Sequence, residues 1–146
     1  MSGPAYGTVF QLDLATGIET ILHKFAGGSD GGYPTGGLIY EQGSLYGTTE
    51  GTEYLWTGTV FKLDLKTDHE TVLYGGGYGS FAASGTLAYE GGTLYGTTYF
   101  GGNYDLGTVF SLEEATDDPT VLNSFAYIPG DGAYPAAGVI YYNGVL

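Results

Sequence analysis

The 146-residue chain is 42% hydrophobic and carries 16 acidic residues against three lysines and no arginine, giving a formal net charge of −13. This length suits a single domain with its own core, and the acidity argues against binding to nucleic acids or anionic membranes, which requires basic groups. The lack of cysteine excludes disulfides, thiolate metal sites and thiol nucleophiles.

The first predicted strand, at 7–14, begins with the phrase Gly-Thr-Val-Phe, which returns at 58–61 and 107–110. A second phrase, Leu-Tyr-Gly-Thr-Thr, occurs at 45–49 and again at 94–98. A period of about 50 residues is typical of repeat architectures, in which each unit buries its apolar face against the next.

Each repeat contains four strand-like segments, named a to d, because runs rich in β-branched and aromatic residues are bounded by turn residues. In chain order they are c (7–14), d (19–25), a (37–41), b (45–49), c (58–65), d (70–74), a (85–90), b (94–99), c (107–113), d (120–125), a (138–142) and a stub of b (145–146). Segment 58–65 alternates apolar and polar residues, which indicates a strand with one buried face.

The links between these segments are short. Those at 42–44, 91–93 and 143–144 join a to b with residues typical of tight hairpins, and those at 15–17 and 66–68 join c to d. Tandem antiparallel units of four strands and about 50 residues predict the blades of a β-propeller. A β-sandwich with coincidental repeats is the alternative.

We therefore predict an all-β fold and a single repeat domain over 1–146. It would comprise a partial blade at 1–25, complete blades at 37–74 and 85–125, and a partial blade at 138–146. Propellers close with four to eight blades, so three blade equivalents leave strand edges bare. We expect either a piece of a longer protein or, preferably, a homodimer in which a second chain completes a ring of about six blades.

The order Leu-Tyr-Gly-Thr-Thr, a Gly-rich stretch, Gly-Thr-Val-Phe, Thr-Val-Leu and Gly-x-Asp-Gly-x-x-Pro resembles the GloVer tandem repeat of bacterial proteins. The last motif stands at 28–34 and is repeated at 130–135, whereas the copy at 77–82 lacks its Asp and Pro. The resemblance covers nearly the whole chain. It implies a propeller-like, extracellular or cell-surface protein and carries no catalytic motif.

The N-terminus lacks the basic and apolar regions of a signal peptide. No apolar run approaches the roughly 20 residues of a membrane span. We therefore expect no membrane insertion, and the extracellular location is implied by the resemblance alone.

Catalytic and metal sites find little support in the sequence. His23 and His69 stand at non-equivalent positions without the partner of a helical zinc site, so both are predicted to be exposed or edge-strand residues, and neither catalytic nor metal-binding residues are predicted. Most acidic residues fall in the c–d hairpins, where they are interpreted as solvated turn residues. A glycosidase carboxylate pair drawn from distant residues is a less favoured alternative.

Asp30 and Asp131 admit a calcium site, because carboxylates bind hard cations. An Asp-Gly turn that caps its own backbone is the favoured interpretation, so no cofactor is predicted.

The d-to-a and b-to-c loops should emerge at the same end of each blade, opposite the short hairpins, and they are rich in aromatic residues. Aromatic faces can stack on the CH groups of a sugar while carboxylates and amides accept hydrogen bonds from its hydroxyls. Tyr and Trp are also the usual anchors of protein interfaces. The predicted ligand-binding residues are Trp56, Tyr54, Tyr78, Phe100, Tyr104, Asp105, Tyr127, Asp30 and Asp131.

The sequence treats Trp56 differently from the tyrosines that precede prolines. Trp56 is favoured because its loop, 53–57, has no copy in the other repeats. For Tyr33 and Tyr134, packing between blades and ligand contact remain equal alternatives.

The functional hypothesis is a non-catalytic β-propeller module that self-assembles and binds a neutral ligand, a carbohydrate or a protein, at the aromatic loop face, with the carbohydrate preferred. One alternative is a structural or adhesive repeat scaffold whose aromatic residues bind nothing specific. The other is a glycoside-processing enzyme that uses a carboxylate pair.

Overall fold

The computed structural model describes residues 6–51, 58–75, 83–116 and 118–146. Over these ranges the chain forms β-strands, one 3₁₀ turn at Gly28–Asp30 and no α-helix. The strands are β1 (Thr8–Leu12), β2 (Glu19–Lys24), β3 (Ile39–Glu41), β4 (Ser44–Thr49), β5 (Thr59–Asp64), β6 (His69–Gly75), β7 (Ala83–Glu90), β8 (Thr93–Thr98), β9 (Thr108–Glu113) and β10 (Pro119–Ser124).

The strands form three antiparallel sheets in which chain neighbours pair. β1 and β2 form a two-stranded sheet, whereas β3 to β6 and β7 to β10 each form a four-stranded sheet. The predicted all-β fold of antiparallel four-stranded units is confirmed. Each predicted strand segment from 7–14 to 120–125 contains an observed strand.

The predicted strand at 138–142 does not form. This segment carries only an isolated bridge between Tyr142 and Val145. The reason is that a strand needs a paired neighbour, and among the described residues this segment is bridged by Val145 alone. The turn itself is the predicted tight hairpin, because Asn143 and Gly144 both take left-handed backbone angles, with φ of 50° and 82°.

The hairpins between c and d segments are organised by an aspartate. Asp13 Oδ1 accepts hydrogen bonds from the backbone N–H groups of Ala15 and Thr16, at 2.8 and 2.9 Å. Asp64 accepts the equivalent pair in the next repeat. These backbone hydrogen bonds keep the pKa of both carboxyl groups below the usual range. The interpretation of these acids as turn residues is confirmed at both positions.

The core lies between successive sheets. One cluster of buried residues, between the two-stranded and the first four-stranded sheet, comprises Val9, Phe25, Phe61 and Leu63. The second, between the two four-stranded sheets, comprises Tyr46, Val60, Leu73, Ala83, Leu87, Leu94, Phe110 and Leu112. Each unit thus buries its apolar surface against its neighbour, as expected for tandem repeats.

The two repeated phrases meet across the strands. Gly47 pairs with Phe61, and Gly96 pairs with Phe110 one repeat later. A Cβ atom on either glycine would lie within 2.7 Å of the Phe ring opposite. The glycine of Leu-Tyr-Gly-Thr-Thr therefore makes room for the phenylalanine of Gly-Thr-Val-Phe.

Hydrogen bonds connect each four-stranded sheet with the beginning of the next segment a. Thr48 Oγ1 donates to the carbonyl of Gly85 at 3.2 Å, and Thr97 Oγ1 donates to the carbonyl of Ala137 at 2.9 Å. The backbones come very close here. A Cβ atom on Gly36 would lie 2.3 Å from the Gly85 carbonyl oxygen, and one on Gly85 would lie 2.2 Å from the nitrogen of Gly138.

Candidate ligand-binding surface

Two loops of the second four-stranded sheet lie against each other. The β8–β9 loop spans 99–107, and the segment that follows β10 continues to 135. The Tyr134 N–H donates to the Leu106 carbonyl at 2.7 Å, and the Asn103 N–H donates to Ser124 Oγ at 2.7 Å. The two loops therefore present their side chains on one surface.

Five aromatic residues on these loops form a connected group, which we name the aromatic cluster: Tyr99, Phe100, Tyr104, Tyr127 and Tyr134. The Tyr99 ring centroid lies 4.8 Å from that of Phe100 and 5.3 Å from that of Tyr134. Tyr104 and Tyr127 are 6.5 Å apart in an edge-to-face arrangement. Such spacings are those of interacting aromatic pairs.

The two halves of the aromatic cluster are also close to each other. Partial desolvation, together with the nearby hydroxyl of Tyr127 and the charge of Asp105, raises the pKa of Tyr134. Solvent reaches the cluster unevenly, because Tyr127 is 76% exposed and Tyr104 54%, whereas Phe100 is half-buried. The cluster therefore has a packed base and two protruding rings.

Two carboxylates brace these loops. Asp105 Oδ1 accepts a hydrogen bond from the Gly101 N–H at 2.8 Å, and Asp105 itself has a left-handed φ of 57°. Asp131 Oδ2 accepts from the Ala126 N–H at 2.9 Å. Asp131 therefore caps its own loop, as the favoured sequence interpretation held.

The predicted ligand-binding residues are distributed as follows. The structure brings Phe100, Tyr104, Asp105, Tyr127 and Asp131 together on the loops of the second four-stranded sheet. Asp30 lies apart from them, in the equivalent loop one unit earlier. The predictions for Trp56, Tyr54 and Tyr78 lie outside the described residues.

Sequence reasoning missed Tyr99, which was counted as the last residue of a strand. The signal was available, because the residue after Leu-Tyr-Gly-Thr-Thr is Glu50 in the first copy and Tyr99 in the second. Because the residue at this position differs between the repeats, the fold does not require a particular side chain there, and Tyr99 is free to serve another role.

Tyr33 and Tyr134 precede prolines that pack on the glycine of Gly-Thr-Val-Phe. A Cβ atom on Gly7 would lie 2.5 Å from Pro34 Cδ, and one on Gly107 would lie 2.6 Å from Pro135 Cδ. The two tyrosine backbones are therefore fixed, while the residues as a whole remain 38% and 40% exposed. Each tyrosine is packed at its backbone and partly accessible to solvent.

A second group of polar residues joins the first two sheets. His23 Nε2 lies 3.2 Å from Asp30 Oδ1, and Glu70 on β6 completes a set whose potential ligand atoms lie within 4.8 Å of one another. Asp30 also accepts a hydrogen bond from the Ala26 N–H, which confirms the predicted self-capping turn. His23 lies on an edge strand as predicted, but it is packed against a carboxylate and only 18% exposed.

A third polar group lies between the four-stranded sheets. Glu114 accepts hydrogen bonds from Lys62 and from the hydroxyl groups of Tyr46 and Tyr89. Burial alone would raise the pKa of Glu114, but the hydrogen bonds from Lys62 and Tyr46 outweigh it and hold the pKa below the usual value. Glu114 stands where the other repeats have leucine, so this ion pair belongs to one junction of the chain.

The sheets of consecutive antiparallel strands, and the glycine–phenylalanine contact that recurs in both four-stranded sheets, define an all-β tandem-repeat protein. The chain belongs to the Gloeobacter/Verrucomicrobia repeat family, whose model matches residues 2–146. The resemblance to the GloVer repeat is thereby confirmed. Comparison with curated proteins gave no match. Among the described residues, no helix has the length and apolar character needed to cross a membrane.

Proposed function

We propose that this protein is a non-catalytic β-propeller module that binds a neutral carbohydrate at the aromatic cluster. The observation that supports this is the arrangement of five aromatic rings on two braced loops, with Tyr104 and Tyr127 protruding. Ligand sites are commonly lined by aromatic side chains with a few fixed polar groups. Asp105 supplies such a group beside the rings.

The charge of the protein supports a neutral ligand. The net charge of −13 disfavours anionic sugars and polyanions, whereas hydroxyl groups can donate to carboxylate and tyrosine oxygens. Each tyrosine offers an apolar ring face together with a polar tip. A sugar ring, which has CH groups on its faces and hydroxyls at its edge, matches that combination.

We also propose that the sheets are propeller blades and that a second copy covers the two-stranded sheet. The evidence is a difference in exposure between the three copies of the phenylalanine of Gly-Thr-Val-Phe. Phe61 and Phe110 are buried at 0% and 1% exposure, while Phe10 on β1 is 55% exposed. Among the described residues, no glycine-bearing strand pairs with β1 in the way that β4 and β8 pair with the strands of Phe61 and Phe110. A strand from a second chain, paired with the open edge of β1, would bury it.

Family membership is the basis for proposing that the protein works outside the cell or on its surface. Fractionation of the producing bacterium with an antibody to the chain tests this. Recovery of the protein solely in the cytoplasm would contradict it.

The carbohydrate proposal is tested on a glycan array followed by calorimetry with the best neutral oligosaccharide. Tyr127→Ala and Tyr104→Ala should each weaken binding at least about tenfold, as expected for the loss of an exposed aromatic anchor. The matched control is Tyr142→Ala, which removes an equally exposed tyrosine (73%) outside the aromatic cluster. Quenching of Trp56 fluorescence by the same sugar would test the separate prediction for that residue.

One observation favours the alternative that the aromatic residues are purely structural. Tyr99, Phe100 and Tyr134 pack against one another and form the base of the aromatic cluster. If Tyr127→Ala binds every array ligand as the parent does, while Phe100→Ala lowers thermal stability, the cluster is a structural element and the binding proposal is wrong.

A further inference from the structure

We propose that His23, Asp30 and Glu70 form a site for a divalent transition-metal ion, specifically zinc. The site would join the two-stranded sheet to the first four-stranded sheet. His23 comes from β2, Asp30 from the 3₁₀ turn and Glu70 from β6. This inference is independent of carbohydrate binding, because the aromatic cluster contributes none of these residues.

The spacing of the three side chains suits a small cation. Around a tetrahedral zinc ion with bonds of about 2.0–2.1 Å, ligand atoms lie roughly 3.4 Å from one another. His23 Nε2 and Asp30 Oδ1 are 3.2 Å apart, and all three potential ligand atoms lie within 4.8 Å. A side-chain adjustment of Glu70 therefore suffices to close the set.

Glu70 provides the independent evidence. Its Oε1 atom is buried and has no hydrogen-bond partner among the residues that the structure describes. The residue lies opposite Leu63, which is fully buried in the core between these sheets. A carboxylate oxygen removed from water without a partner is costly, so this position calls for a cation or a proton.

The electrostatics of the group favour a cation. Burial, followed by the neighbouring charge of Asp30, raises the pKa of Glu70. A divalent ion would supply the partner that Glu70 Oε1 lacks and would offset the repulsion between the two carboxylates. Asp30 is already held in place, because its other oxygen accepts the Ala26 N–H.

The ligand types select the class of metal. Imidazole suits zinc and its neighbours in the transition series, whereas magnesium and calcium prefer oxygen ligands alone. Three protein ligands leave a fourth position for water. The site therefore fits zinc better than the calcium ion that was considered from the sequence for Asp30 and Asp131.

The repeats provide internal controls for the test. Glu19 occupies the position equivalent to Glu70 one unit earlier and is exposed, and Asp131 occupies the position equivalent to Asp30. Asn123 stands where the first copy has His23. Among the described residues, the three ligand types therefore come together at one junction.

The experiment is a zinc titration of the tag-free, chelator-treated protein by calorimetry and by competition with a zinc indicator. The parent should bind one equivalent. Glu70→Gln and His23→Asn should each weaken binding by more than about tenfold, since even residues behind the ligands change metal affinity by 10- to 100-fold. The controls Glu19→Gln and His69→Asn should bind like the parent.

Zinc-edge X-ray absorption should show one imidazole among nitrogen and oxygen ligands in the parent and none in His23→Asn. Circular dichroism of each variant verifies that the sheets are intact. If the folded parent binds no zinc, or if Glu70→Gln and His23→Asn bind it with the affinity of the parent, the site does not exist.

Discussion

Gly96 lies directly opposite Phe110, and a methyl group on Gly96 would come within 2.7 Å of the ring atom Cζ. The same relationship holds between Gly47 and Phe61. The phrases Leu-Tyr-Gly-Thr-Thr and Gly-Thr-Val-Phe therefore contact each other in the fold. Strand register aligns the glycine of the first with the phenylalanine of the second.

This contact predicts the effect of Gly96→Ala. The added methyl group must displace Phe110 or Leu87, and overpacking of this kind costs about 1–3 kcal/mol. Urea denaturation would measure it as a lower midpoint. The control is Gly75→Ala, where the nearest atom to the new Cβ, among the described residues, would be Cγ1 of Val72 at 3.8 Å. Equal stability of the two variants would show that the Gly96 contact is not tight.

The ion pair between the four-stranded sheets predicts a pH dependence. The pKa of Glu114 is lower in the folded state than the usual value of a glutamate side chain, so the charged carboxylate stabilises the fold above that value. This contribution is lost as the pH falls through the folded pKa of Glu114. Glu114→Gln should therefore lower stability by about 1 kcal/mol at neutral pH, and the difference should shrink in acid.

Chemical denaturation between pH 7 and pH 3 provides the measurement for this pair. Glu113→Gln removes an exposed neighbouring carboxylate and is the matched control. A stability difference between the parent and Glu114→Gln that stays constant across this range would show that Glu114 is not held charged by Lys62 and Tyr46.

A third prediction concerns the exposed face of the two-stranded sheet. Phe10 and Ile21 are cross-strand partners, and their exposed fractions are 55% and 56%. If a second copy covers this face, Phe10→Ser should convert a dimer into a monomer in light scattering. Ile18→Ser removes a similarly exposed side chain at the hairpin and should leave the mass unchanged. A folded parent that is monomeric at micromolar concentration would exclude the dimer.

A fourth prediction concerns the threonine pair Thr98 and Thr108, whose hydroxyl oxygens lie 2.8 Å apart at the two ends of the β8–β9 loop. Thr98 Oγ1 donates to the Phe100 carbonyl at 2.7 Å and accepts from the Thr108 N–H at 3.1 Å, and it is fully buried. Thr98→Val leaves both backbone groups without this partner, which costs about 1–3 kcal/mol. Thr116→Val, at an exposed turn, should have little effect.

Amide hydrogen exchange would locate the change. Thr98→Val should accelerate exchange in the loop 99–107 before the strands are affected, because the pair anchors the start of that loop. Uniform acceleration over the whole sheet would mean that the threonine pair stabilises the strands rather than the loop.

The sequence predicted the strands well because their signals are local. Alternation along 58–65, tight-turn residues and the repeated phrases are each readable within one unit. The segment 138–142 shows the limit, because a strand also needs a partner and only the bridge from Tyr142 to Val145 forms there.

The polar groups were harder to predict because their members are distant in sequence. Glu70 resembles its exposed counterpart Glu19, and nothing local shows that it faces His23 and Asp30. Glu114 is read from sequence as one of several hairpin acids, although it contacts Tyr46, 68 residues earlier. The base of the aromatic cluster joins Tyr99 to Tyr134 in the same way. Such groups depend on how the sheets pack, which composition and periodicity do not specify.

The close approach of Gly36, Gly85 and Gly138 limits which residues the junctions between units can accept. At these points the backbone of one unit lies against the backbone of the next, with the hydroxyl groups of Thr48 and Thr97 hydrogen-bonded beside them. Any side chain larger than hydrogen at these three positions would force the two backbones apart. The loops and outer surfaces of the units do not carry this restriction, so they can change without separating the units.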